Sequence, residues 1–337
     1  MKVVLITGSY PPDICGVAEY TERLAEALEK AGAKVILFTG KNWSPANAFE
    51  LNREIGGLAA DVLHMQYPAT GYGWHLGPQV LSLLRPFVTT IHECSQTHIL
   101  RRLSLFPFTV RAQKIIFTNE YEQVYSRRFA PWIEDRSTVV PIGNGIPQGS
   151  DSVDRLPKVV TNFGLIRPRK GLEDVIEMAR LFKERANGLS VRIVGTILPG
   201  YEDYYERLRK EANDLPVQWA LSLNGAPLSH ALAETEVAYL PFPDGASERR
   251  SSLIAMLANK SSIITTHGVH TPSAMEKAVQ FAGSPTEAVA LAEDLFNNPR
   301  RLEATQSRAE EYAARFSWSS IAAEHMAIYQ QLVGPRA

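Results

Sequence analysis

A chain of 337 residues with 45% hydrophobic content is too long for one small core and suits two domains of ordinary size. Its 35 basic and 36 acidic residues leave a formal charge of -1, which excludes a nucleic-acid partner held through a global basic field. No uncharged apolar run approaches the roughly 18 residues needed to span a bilayer, and the two cysteines, Cys15 and Cys94, give neither a disulfide framework nor a metal-ligand spacing, as expected in a reducing, cytoplasmic compartment.

Residues 3–7 form a continuous apolar run, as in a parallel strand covered on both faces; the start of the chain is too short for a signal-peptide core and reads as a first strand. The loop GSYPPDICGVAEY follows, then a helix bearing Ala18, Leu24, Ala25 and Leu28 at helical spacing until Gly32 caps it, then a strand at 35–38. Gly16 stands where strand turns into helix, the place where open α/β sheets bind ligands and where a side chain would obstruct a phosphate or sugar; a tight turn alone would also call for it. Further strands are predicted at 61–65, 87–91, 114–118 and 137–141. His64 follows DVL and His92-Glu93 follow FVTTI, so all three side chains are expected at the carboxyl edge of the sheet. Between 99 and 111 the run ILRRLSLFPFTVR mixes arginines with large apolar residues. It fits a core helix with a polar flank, or a helix lying on an anionic bilayer near a lipid-linked acceptor.

A stretch rich in glycine, proline and serine places a linker at 148–158, between domains at 1–147 and 159–315. The pattern then restarts: a strand at 159–166, the basic loop RPRKG, a helix at 172–186 and a strand at 190–195. Gly164 and this loop make a phosphate-friendly edge with Lys170 and either Arg167 or Arg169, which cannot both face one ligand. A charged surface helix at 201–213 precedes the stretch AYLPFPDGASERRSSLIAMLANKSSIITT. There a buried strand stops at Pro241, Asp244-Gly245 signals a turn, and Ser251 and Ser252 are good N-cap residues before Leu253. The free amides of that helix start, with Arg249 and Arg250 before them, make an anion site; a solvated charge patch has the same composition. A strand at 262–266, one at 279–282 and helices at 285–296 and 301–315 follow, and the closing segment 316–337 places Ile321, His325, Ile328 and Leu332 on one stripe. Two doubly wound halves leave a cleft between their carboxyl edges, where the site is expected.

In order and spacing these residues resemble the retaining GT-B glycosyltransferases of the family 4 type. PPDICGVAEY matches that family's opening loop and helix with Cys15 in place of a first glycine; Gly164 through Lys170-Gly171 matches the opening of its second half; Phe316-Ser317-Trp318 and Tyr329 match its closing helix. The resemblance implies an α/β fold of GT-B architecture, two Rossmann-like doubly wound domains facing a central cleft, with the last helix crossing back to the first domain. It implies a nucleotide diphosphate sugar donor bound by the C-terminal half and a sugar, lipid-linked or small-molecule acceptor bound by the N-terminal half. No cofactor or metal is implied, since cationic side chains and helix-start amides take over neutralisation of the diphosphate.

The family's two glutamates, seven residues apart, have no counterpart here: aligned on the helix their positions are Ala246 and Ile254, aligned on the loop they are Asp244-Gly245 and Ser252. Leu165 stands where an arginine is usual. The loop instead resembles a subgroup with DG-x-S-x-R-R-x-S. Carried onto this chain, the resemblance gives Lys170, Arg249, Arg250, Asp244 and His92 catalytic roles; Gly16, Gly164, Arg167, Ser251, Ser252 and Leu253 donor contacts; and Tyr10, His64 and Glu93 positions on the acceptor side. The departing diphosphate would take the acceptor proton, so that no carboxylate nucleophile is needed. Two other readings are a catalytically silent subunit of this fold, suggested by the missing glutamate pair, and a nucleotide-sugar epimerase or a phosphorylase.

Overall fold

The computed structural model describes residues 1–13, 15–150 and 152–334. Position 14 of the first loop, position 151 of the predicted linker and positions 335–337 of the closing segment lie outside the described residues. The chain divides into two compact units, Met1–Gly143 with Phe316–Ala337, and Asn144–Arg315.

In the first unit strands and helices alternate: β1 (Lys2–Ile6), α1 (Gly16–Lys30), β2 (Lys34–Phe38), α2 (Ala48–Gly57), β3 (Val62–Tyr67), α3 (Gly77–Leu84), β4 (Val88–Ile91), α4 (Ile99–Leu103), α5 (Phe106–Arg111), β5 (Lys114–Phe117), α6 (Glu120–Arg127) and β6 (Ser137–Val139). The second unit continues with β7 (Val159–Ile166), α7 (Leu172–Arg185), β8 (Ser190–Ile197), α8 (Glu202–Glu211), β9 (Val217–Leu221), α9 (Gly225–Ala233), β10 (Val237–Leu240), α10 (Ser251–Ala258), β11 (Ser262–Thr265), β12 (Gln280–Phe281), α11 (Pro285–Asn297) and α12 (Pro299–Ala313). The last helix, α13 (Trp318–Val333), returns to the first unit.

Each unit holds a six-stranded sheet, ordered β2-β1-β3-β4-β5-β6 and β12-β11-β10-β7-β8-β9, and the paired strands are parallel. The apolar run of β1 shows why such a sheet needs cover on both sides. Val3 and Leu5 pack with Tyr20, Leu24 and Leu28 of α1 and Ile321 and Tyr329 of α13, while Val4 and Ile6 pack with Trp43, Leu51 and Phe108 on the opposite face. Without α13 one face of β1 would be partly bare, and each large apolar side chain buried there contributes about 1.5–3 kcal/mol. A Cβ on Gly143 would lie 2.5 Å from the Trp318 ring, so the end of the first pass and the start of α13 are packed flush. In the second unit Val175, Ile176, Ala179 and Phe182 of α7 meet Val191, Ile193 and Tyr239 of the sheet, as the helical spacing predicts.

Two segments differ from their sequence readings. The run at 99–111 is not one core helix: it breaks into α4 and α5, with Leu105 and Phe108 buried and Ile99, Leu100, Leu103 and Phe106 each more than half exposed. The edge strand β9 and helix α9 were not read from the sequence. Four of the five β9 positions are only half-buried and the fifth, Gln218, is exposed, so neither a clean alternation nor an apolar run marks it. Among the described residues no helix is long and apolar enough to cross a membrane.

Candidate functional site

In a parallel sheet wound in both directions, the crevice lies where the strand order reverses. In the second unit that point falls between β7 and β10, since β8 and β9 extend from one side of β7 and β10, β11 and β12 from the other. A cavity of about 290 Å³ opens there, lined among others by Asn162, Gly164, Lys170, Thr196, Phe242, Ser251 and Ser252.

Its floor is a pair of glycines in register, Gly164 of β7 and Gly195 of β8. A Cβ on Gly195 would sit 2.4 Å from the Gly164 carbonyl oxygen, so packing demands that glycine; nothing lies within 4 Å of a Cβ built on Gly164, whose bareness serves the cavity instead. Two helices start beside it. Gly171, at the N-cap of α7, has φ +74°, and a Cβ there would fall 1.8 Å from the Pro241 carbonyl oxygen, which locks the loop after β7 against the end of β10. The loop after β10 is fixed the same way: Gly245 has φ +88° and its backbone meets Gly268, while the Ala246 amide donates to the Thr266 carbonyl at 2.9 Å.

The N-cap of α10 is Arg250 rather than Ser251 or Ser252, which are its first two helical residues. Helix bonding begins with the Ile254 amide donating to the Arg250 carbonyl at 3.0 Å, which leaves the amides of Ser251, Ser252 and Leu253 as the open donors of the helix start. The Leu253 side chain is wholly buried, so only its amide can serve a ligand. Neither serine is used as a cap, and both residues line the cavity.

Lys170 lines the cavity, and Arg167 and Arg250 stand near it without lining the cavity themselves. The Lys170 ammonium is pushed below its usual pKa by burial and then by the charges of Arg167 and Arg250, with Asp244 opposing. Arg167, not Arg169, is therefore the loop arginine that acts on Lys170; Arg169 is exposed, with φ +65°. Arg250 pairs with Asp244 and lies 4.9 Å from the Phe242 ring centre. That pairing occupies the carboxylate expected to meet a sugar, and Asp244 does not line the cavity. Arg249 is exposed. Just before it, Glu248 accepts from the Tyr312 hydroxyl at 2.6 Å and lies 3.4 Å from Arg315, which tethers the loop to the end of α12.

In the first unit the reversal lies between β1 and β3. Gly16 is the first residue of α1; its φ is ordinary and nothing lies within 4 Å of a Cβ there, so a tight turn does not account for it. The loops after β1 and β3 touch: a Cβ on Gly71 would fall 1.7 Å from the Gly8 carbonyl oxygen, and the Gly71 amide donates to Ser9 Oγ at 2.7 Å. Tyr10, His92 and Glu93 are half-buried along this edge. The ring of His92 meets Tyr20 edge-on at 4.8 Å, and its Nε2 lies 3.0 Å from Gln66 Oε1.

His64 is not on the edge. Strand β3 runs on to Tyr67, so His64 sits in mid-strand with no exposed surface, its ring nitrogens 2.6 Å from the Tyr329 hydroxyl and 2.7 Å from Thr90 Oγ1. Gln66, which the sequence analysis did not single out, is the residue that joins it to His92. Among the described residues no group of three or more His, Cys, Asp or Glu could hold a metal ion.

No protein-family model matches the chain, and no curated protein does. Solved structures do. Anabaena HepE in complex with UDP is 14% identical with a TM-score of 0.68, covering 98% of this chain and 100% of that one. A glycosyltransferase from Rickettsia africae is 14% identical with a TM-score of 0.68, covering 99% of each. HepE in complex with UDP-glucose is 15% identical with a TM-score of 0.58, covering 97% of this chain and all of that one. At such identity the likeness is one of fold, and the fold is the GT-B architecture, two Rossmann-like α/β units with the C-terminal helix packed on the first.

Proposed function

We propose that the chain is a glycosyltransferase that moves a sugar from a nucleotide diphosphate donor to an acceptor hydroxyl with retention of configuration, in the making of a polysaccharide, glycolipid or other glycoconjugate. One observation carries the reading: at the β7/β10 crevice a cavity is lined by Lys170, Ser251 and Ser252 at the start of α10, whose first amides are open donors, with Arg167 and Arg250 near enough to add to the effect of burial on the Lys170 ammonium. That set of donors suits a diphosphate and offers nothing to a cationic or purely apolar ligand. HepE, of the same fold, holds UDP and UDP-glucose.

In this reading charge grows on the diphosphate as the sugar departs, and donors already in place stabilise it at no cost of reorganisation. Lys170 and Arg250 supply charge, the amides of residues 251–253 supply dipoles, and no metal is required for the task. Asp244, paired with Arg250, holds that guanidinium over Phe242. The first unit, with Tyr10, His92 and Glu93 along its edge, takes the acceptor. The exposed Ile99, Leu100, Leu103 and Phe106 support a lipid-linked acceptor and peripheral membrane contact. Sedimentation with acidic liposomes is expected to pellet the protein; protein left wholly in the supernatant refutes that contact.

The function is tested by incubating the protein with UDP-, GDP-, ADP- and dTDP-sugars without acceptor. Slow release of the nucleotide diphosphate from one of them is expected. No release from any, together with no rise in melting temperature, favours the silent subunit instead.

A further inference from the structure

Behind the edge of the first unit lies a chain of buried polar side chains with no part in holding the diphosphate. It runs from Tyr329 on α13 through His64 and Gln66 on β3 to His92 after β4, with Thr90 alongside. With the Gln66 amide oriented as it stands, its two contacts fix the proton positions. Gln66 Oε1 can only accept, so His92 Nε2, 3.0 Å away, carries the proton. Gln66 Nε2 can only donate, so His64 Nε2, 3.2 Å away, is bare, and it also receives the Thr90 hydroxyl at 2.7 Å. A neutral His64 is then protonated at Nδ1 and donates to the Tyr329 oxygen at 2.6 Å. Burial holds His64 and His92 neutral, and the neighbouring His325 adds to the effect on both.

We propose that Tyr329, His64 and Gln66 are positioning residues that fix His92 as the Nε2–H tautomer, so that its bare Nδ1 is offered as a hydrogen-bond acceptor to a substrate hydroxyl. Nδ1 has no partner among the described residues and is absent from the buried unpaired polar atoms, so it is the ring nitrogen open to a ligand. Tyr20, packed edge-on against the ring, keeps its plane fixed. The proton position at the edge is thus set by a hydroxyl on the last helix. Only the identity of the hydroxyl, on a sugar or sugar acceptor, rests on the function proposed above.

The test is a long-range proton–nitrogen spectrum of protein carrying 15N-histidine, with His92→Gln to assign the signals. At neutral pH the wild type is expected to show His92 protonated at Nε2 and bare at Nδ1. Tyr329→Phe keeps the ring volume but removes the acceptor of the His64 proton. His64 then protonates at Nε2, where Thr90 can accept, the Gln66 amide turns over, and His92 shifts its proton to Nδ1. A wild-type proton on His92 Nδ1, or a tautomer unchanged in Tyr329→Phe, overturns the relay. Gln66→Leu, which cuts the relay at its centre, is expected to give His92 in mixed tautomers, and a single unchanged tautomer there also overturns it. The spectra stand whether or not the protein transfers sugar. If it does, kcat/KM in Tyr329→Phe should fall about tenfold; equal turnover with a switched tautomer refutes the hydroxyl contact and leaves the proposed function standing.

Discussion

Lys170→Ala is expected to lower kcat on the nucleotide-sugar donor by a factor on the order of a hundred or more, with a melting temperature close to that of the parent. The size follows from where the charge sits. Lys170 lines the cavity at the start of α7, half-buried, and burial together with Arg167 and Arg250 depresses its pKa. A cation held against that penalty makes no ion pair with a carboxylate among the described residues, so its removal leaves no buried partner unpaired and should cost the fold little. A diphosphate ligand would restore the balance, and most of all when negative charge moves onto it. Lys170→Arg, which keeps the charge on a longer, planar group, should recover part of the rate. Hydrolysis rates with saturating donor are the measurement; a kcat equal to the parent's in Lys170→Ala refutes the assignment.

The second large effect is on acid stability. His64 and His325 have no exposed surface, and burial lowers the pKa of each, that of His325 to about 4 and that of His64 well below 6.5; His92 is lowered to about 3. A base whose folded pKa is depressed binds fewer protons folded than unfolded. Its contribution to stability is therefore fully present above the unfolded value of about 6.5 and is lost as pH falls from there toward the folded values. Each such histidine costs on the order of 1.4 kcal/mol per pH unit within that window, and His64, His92 and His325 all act in the same direction. Against a domain stability of about 5–15 kcal/mol that loss is large. The melting temperature should be level above neutral pH and fall steeply below about pH 6. His325→Leu removes an unpaired buried Nε2 as well as a titrating group, so it should flatten the acid slope with little loss at neutral pH. A melting temperature unchanged down to about pH 5 contradicts this.

How much of the molecule was legible in the sequence depended on local signal. The apolar run of β1 and the helical stripes of α1, α7 and α13 were legible because burial on one or both faces leaves a period that no tertiary detail can erase. The loop before α10 was legible because a turn signal, two arginines and an apolar helix follow one another without a gap. The N-cap lies one residue before Ser251 and two before Ser252, since backbone geometry and not composition decides that it is Arg250. His64 was read as an edge residue because the strand was ended too early; a two-residue error in a strand end moves a side chain from rim to interior. Gln66 was missed because a lone glutamine has no pattern, and its role exists only through partners distant in sequence. The segment 99–111 misled because mean hydropathy does not tell which side of a short helix meets the core; here the apolar residues outnumber the buried places.

The most direct test of the central claim is a calorimetric titration of free UDP, GDP, ADP and dTDP into the wild-type protein and into Lys170→Ala and Arg250→Ala. One nucleoside diphosphate is expected to bind the wild type, and each variant to bind it at least about tenfold more weakly, the loss of one charge-assisted contact. Binding of none of the four, or binding of equal strength in both variants, contradicts the assignment of the β7/β10 cavity to a diphosphate.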